Sequence, residues 1–149
     1  FTYENQDNLF FILAPTVTKT FKNEKVSLDI AQKINNELEA HNKLSKQKID
    51  YGISIHTGSI IAKQEQQSLK FMSMGTMITT AKRLASISNK DIAISEKMNS
   101  KLISLAKTKK HDNEKLPFYT ITEMKHTDPE SKIFISNFIR RLEGEKKDK

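Results

Sequence analysis

The 149-residue sequence contains no cysteine and no tryptophan. The first absence excludes disulfides and thiolate metal sites, so stability rests on packing, and a reducing compartment suits the chain. With 3 prolines and 4 glycines, collagen-like and proline-rich linker compositions are excluded as well. Long apolar runs are also missing. The longest, Leu9 to Pro15, has strand length and falls far short of the roughly 20 residues that cross a bilayer. No basic segment followed by an apolar core opens the chain, and Phe1 falls inside what reads as a strand, so a piece of a longer, cytoplasmic protein is expected.

Apolar residues make up 36% and charged residues 29% of the chain, with a mean hydropathy of -0.59. That balance supports one folded domain, since two cores in this length would each be marginal. The formal charge of +7 would serve a phosphate-rich partner. Much of the excess sits in Lys107, Lys109 and Lys110 and in Lys146, Lys147 and Lys149, whose polar neighbours read as solvated loops and tails.

Hydrophobic spacing orders the chain. Phe1 to Tyr3 and Leu9 to Ala14 read as strands of a hairpin turning through Asn5-Gln6-Asp7-Asn8, residues that bond to their own backbone in turns. Ile30, Ile34 and Leu38 recur at helical spacing, predicting a helix from about Ser27 to Asn42. From Ile49 to His56 the period is two, and Thr57-Gly58-Ser59, with Gly58 free to take a positive φ, predicts a turn into a returning strand at Ile60 to Lys63. Leu69 to Ser73 reads as another strand ending at Gly75, followed by a helix whose buried stripe is Ile78, Ala81, Leu84 and Ala85. Ile92 to Ile94 is a strand, Ser95 the N-cap of a helix carrying Met98, Leu102 and Leu105, and Phe118 to Met124 a final strand. Asp128-Pro129 starts a terminal amphipathic helix with Phe134, Phe138 and Leu142 on one face. The expected organisation is thus a domain at 1-125, its N-terminal part upstream, and a helix with a basic tail at 126-149.

The segment Tyr51-Gly52-Ile53-Ser54-Ile55-His56-Thr57-Gly58-Ser59-Ile60-Ile61-Ala62 resembles the class III adenylate and guanylate cyclases, which carry a strand, a His-Thr-Gly turn and a second strand in this form. Phe71-Met72-Ser73-Met74-Gly75 running into Ala81-Lys82-Arg83-Leu84, and Ile92-Ala93-Ile94-Ser95-Glu96, are similar to later segments of that family in order and spacing. Gln6-Asp7-Asn8-Leu9 looks like its Gly-Asp hairpin, and the resemblance spans about Phe1 to Met124.

The resemblance implies an α+β fold, a ferredoxin-like or palm-type mixed β-sheet with helices packed on one side, working as a dimer with sites at the subunit interface. It places Arg83 at the catalytic arginine, Thr79 at the catalytic asparagine, Asp7 at one metal aspartate, and Met72 and Tyr3 at the purine-reading positions. The other metal aspartate falls upstream of Phe1. Lys110 or Lys115 would fill the phosphate-binding lysine, with Lys115 preferred. An active site of this kind would use Mg2+ or Mn2+, whose charge lowers a ribose hydroxyl's pKa and bridges phosphates. The sequence departs from that set. Thr79 lacks an amide's paired donor and acceptor, Met72 cannot read a base edge, and Gln6 replaces the glycine before Asp7. Asp7 also explains itself as a turn former, Arg83 as an exposed helix residue, and His56, with no second histidine at ligand spacing, as structural.

The expectation is therefore a divergent cyclase-like domain with weak or no activity, acting as a dimerising or nucleotide-sensing module. Its partners would be a nucleoside triphosphate and a second copy or a second cyclase-like domain. An active cyclase forming a cyclic nucleotide from ATP or GTP is the alternative. A basic nucleic-acid-binding domain is third, disfavoured because Tyr51 stands alone among aliphatic residues where base stacking needs paired aromatics.

Overall fold

The structure, a computed structural model, describes residues 2–5, 7–65, 68–73, 75–112 and 116–125. The expected terminal helix and tail at 126–149 lie outside the described residues.

Strand β1 (Thr2–Asn5) pairs antiparallel with β2 (Asn8–Phe11), Asn5 facing Asn8 across the turn. Pro15 opens the short helix α1 (Pro15–Thr18), its fixed φ suited to a first turn, and Lys19 closes it in the left-handed region at φ 56. Helix α2 (Asn23–Leu44) starts a turn earlier than its apolar stripe predicts. Asn23 ties the first turn to the preceding segment, its side-chain amide donating to Thr20 O at 3.1 Å and its Oδ1 accepting from Thr18 Oγ1 at 2.6 Å. Leu28 and Ala31 of α2 are buried.

The remaining elements are β3 (Ile53–Ile55), β4 (Ile61–Glu65), β5 (Ser68–Ser73), α3 (Gly75–Ile87), β6 (Ile92–Ser95), α4 (Glu96–Leu102), β7 (Ala106–His111) and β8 (Phe118–Met124). β3, β6, β8 and β7 form a mixed sheet in that order, parallel between β3 and β6 and antiparallel elsewhere. β4 and β5 form a separate antiparallel ribbon.

Every position of β6 is buried, because both faces of the sheet are covered there. On one face Ile55, Ile92 and Ile94 pack with Leu28 and Ala31 of α2 and with Met98 and Leu102 of α4. On the other, Leu84 of α3 packs with Ala93 and Phe118. Burying a leucine as fully as Leu84 contributes about 1.5–3 kcal/mol. Ser95 caps α4 as expected, its hydroxyl accepting from Met98 N at 3.4 Å. The α+β, mixed-sheet architecture expected from the sequence is the one observed, but the helices are not confined to one side of the sheet, because Ala93 and Ser54 present a second face for α3 to cover. α2 and α4 share a face, and α3 covers the other.

Four local expectations need correction. β3 is three residues long and its ladder partner is β6, while β4 pairs with β5, so Thr57-Gly58-Ser59 does not close a hairpin. Gly58 is not at positive φ; among the glycines described, Gly75 is, at φ 48. A Cβ on Gly58 would instead meet Met77 Cγ and Sδ at 3.1 Å. Finally, α4 stops at Leu102, where Leu105 N donates back to Leu102 O at 2.8 Å, and Lys107, Lys109 and Lys110 lie in edge strand β7 rather than a loop. Charged side chains at a sheet edge deter pairing with other chains.

Candidate functional site

A cleft of about 900 Å³ opens between the β2–α1 segment, α2, β3 with the loop after it, and α3. Its walls are mostly apolar, and Asp7, His56 and Lys82 bring polar groups to it. Two features hold α3 against β3. A Cβ on Gly52 would fall 1.9 Å from Ala85 O, so only glycine permits that approach, and Ser54 Oγ donates to Ala81 O at 2.8 Å. This contact turns Ile78, Ala81 and Ala85 toward the cleft and leaves Thr79 and Arg83 exposed.

The sequence-predicted site residues fall in separate places. Asp7 is exposed in the β1–β2 turn and lines the cleft. Thr79 and Arg83 sit a turn apart on α3, outside the cleft lining. Tyr3 occupies β1 opposite Phe10. Met72 lies on β5 where the pairing shifts, Ile61 facing Ser73 while Ala62 faces Phe71. The side chains of Tyr3 and Met72, and Lys115 as a whole, lie outside the described residues. The alternative lysine, Lys110, is paired to Asp112 at 2.7 Å, and that hydrogen bond raises its pKa.

His56 is half-buried in the cleft wall, and its buried Nδ1 has no hydrogen-bond partner among the described residues. Burial, and secondarily the charge of Lys97, push its pKa below the ordinary 6.5. Sequence reasoning missed Lys82, a half-buried cation in the cleft lining next to Arg83. Its position in the motif Ala81-Lys82-Arg83-Leu84 was the available signal, but helical spacing alone does not say which of two adjacent cations faces inward.

The acidic residues that line the cleft are Asp7 and Glu24, and Glu24 bonds Lys101 at 2.6 Å, which lowers its pKa. Among the described residues no group of three or more His, Asp or Glu side chains is placed to hold a metal ion. One uncommitted carboxylate does not make a site for two divalent ions, so this chain's described residues do not fit the family's metal pair by themselves. No described helix is long and apolar enough to cross a membrane.

No family model and no curated protein matches the sequence. Among solved structures, the chain is similar to the non-canonical dimeric guanylyl cyclase domain of the RhoGC fusion protein from the aquatic fungus Blastocladiella emersonii, at TM-score 0.59 and 19% identity over 71% of this chain and 62% of that one. It is also similar to a monomeric crystal structure of a double mutant of that guanylyl cyclase domain, at TM-score 0.58 and 20% identity over 72% and 60%. The chain spans about six-tenths of the length of these structures. Its fold is that of a guanylyl cyclase domain.

Proposed function

We propose that this chain is a divergent nucleotidyl cyclase-like domain that pairs with a second such domain and holds a nucleoside triphosphate at the shared face, with little or no cyclase activity. The observation that carries the reading is the separation of its site residues. Asp7 is at the cleft, whereas Thr79 and Arg83 are exposed on α3 outside it. Residues that do not meet in one protomer make sense where two protomers complete a site, and the crystallised guanylyl cyclase domain to which the chain is similar is described as dimeric.

In such a site Arg83 supplies a guanidinium that stays charged and grips phosphate oxygens with a planar fork. Thr79, one turn before it, offers a hydroxyl that reaches less far than an amide and cannot donate and accept in the same plane. Those two residues support binding better than turnover. Divalent ions would supply the charge that cyclisation requires, and Asp7 would need carboxylates from outside the described residues to hold them. Cytoplasmic signalling is the setting this reading implies. The nucleic-acid alternative gains little support, since Lys107 and Lys110 of β7 are engaged by Glu123 and Asp112 at 2.7 Å each.

Because a ligand bound across two protomers favours the dimer by mass action, the test is self-association. Light scattering at high micromolar concentration is expected to show a dimer fraction that rises on adding GTP or ATP with magnesium. A monomer indifferent to both nucleotides would contradict the proposal. Accumulation of a cyclic nucleotide would replace it with the active-cyclase reading.

A further inference from the structure

Phe21, in the turn between α1 and α2, is 90% exposed, the highest value among the large apolar residues described. The turn around it is tied together by its own polar side chains. Thr18 Oγ1 donates to Asn23 Oδ1 at 2.6 Å, the Asn23 amide donates to Thr20 O at 3.1 Å, and Lys22 N donates to Thr20 Oγ1 at 3.1 Å. Thr18, Thr20 and Asn23 are half-buried as a result, and the aromatic ring is left outside in water. Phe21 stands apart from the cleft lining, so its exposure does not depend on what occupies the cleft.

The charge around this ring is of one sign. Lys19, Lys22 and Lys25 are exposed on either side of it. Glu24, the carboxylate within that stretch, is bonded by Lys101 at 2.6 Å, which neutralises it and brings a further cation to this end of α2. Leu44, 89% exposed, makes the contrast at the other end of the same helix, about 33 Å away. Carboxylates gather there. Burial, and then the charges of Glu39 and Asp91, raise the Tyr51 pKa, and Asp50 precedes that tyrosine exposed.

We propose that the α1–α2 turn is a peripheral docking point for an anionic lipid bilayer, the Phe21 ring entering the boundary between headgroups and acyl chains while Lys19, Lys22 and Lys25 meet the acidic headgroups. Charge complementarity selects this occupant. One ring on a turn flanked by lysines offers far less than the roughly 800 Å² that a stable protein interface takes from each partner. A bilayer surface accepts a single ring between cations. The inference does not depend on nucleotide binding.

The chain has no tryptophan, so Phe21→Trp and Leu44→Trp each place one reporter at an exposed position of the full 149-residue chain. The probes are vesicles of phosphatidylcholine alone and of phosphatidylcholine with about one-third phosphatidylserine. Emission from Phe21→Trp is expected to shift to the blue with the anionic vesicles and not with the neutral ones, and Leu44→Trp should shift with neither. Lysines near the end of the chain would draw it to anionic vesicles without the turn, so co-sedimentation is compared with variants of the turn itself. Phe21→Ala is expected to lower the partition coefficient at least about tenfold and Lys22→Gln about fivefold, with far-UV circular dichroism unchanged. Four results overturn the inference: no shift in Phe21→Trp, an equal shift in Leu44→Trp, partitioning unaffected by Phe21→Ala, or a blue shift of Phe21→Trp on raising protein concentration without vesicles, which would assign the ring to a protein contact.

Discussion

At the level of single residues, contacts rather than motif membership decide what each side chain does. Gly52 belongs to the motif segment, and its structural demand is severe, because a methyl group there would overlap Ala85 O. Gly52→Ala is expected to cost about 3 kcal/mol through overpacking, read as a lower urea midpoint at an unchanged slope. His56 makes stability depend on pH. Its folded pKa is below 6.5 because burial, and then Lys97, disfavour the charged form. As pH falls below 6.5, the unfolded chain takes up the proton first, so the contribution present above that value is lost as pH falls through the lower, folded pKa. Urea midpoints followed from neutral pH downward should therefore fall less steeply in His56→Gln than in the natural protein. Arg83 is exposed, so Arg83→Ala should change stability by no more than about 0.5 kcal/mol.

Elements were legible where the apolar spacing was strong and local. α2, α3, β6 and β8 each carry a stripe or run whose period specifies both the element and its buried side, as Ile92 to Ile94 and Leu84 show. β7 was not legible, because among Ala106-Lys107-Thr108-Lys109-Lys110-His111 only Ala106 is buried. Its strand character comes from pairing with β8, which composition does not encode. The β3–β4 turn failed for a related reason: a Thr-Gly-Ser signal is local, whereas β3 finds its partner at Ile92–Ser95, some forty residues on. In the candidate site, the sequence placed Asp7, Thr79 and Arg83 on their correct elements but said nothing of the cleft, which exists only once α3 is pressed onto Gly52. Two substitutions test this division. Leu84→Ala, at a fully buried position on α3, is expected to cost about 2–5 kcal/mol, and Ser95→Ala about 1 kcal/mol from the lost cap, both measured by urea unfolding.

At the scale of the molecule, the chain is similar in fold to a guanylyl cyclase domain over 71% of its length and carries Arg83 exposed on α3, while the hydroxyl of Thr79 stands where the family resemblance calls for an amide. The central claim is that this face binds nucleotide. The direct measurement is the thermal shift of the chain with GTP or ATP and magnesium or manganese, beside Arg83→Ala under the same conditions. A ligand at a hundred times its dissociation constant adds about 2.7 kcal/mol to stability, so the account predicts a metal-dependent rise in Tm of several degrees that disappears in Arg83→Ala while the unliganded Tm of the variant stays close to that of the natural protein. No rise with either nucleotide, or a rise of equal size in Arg83→Ala, would contradict it.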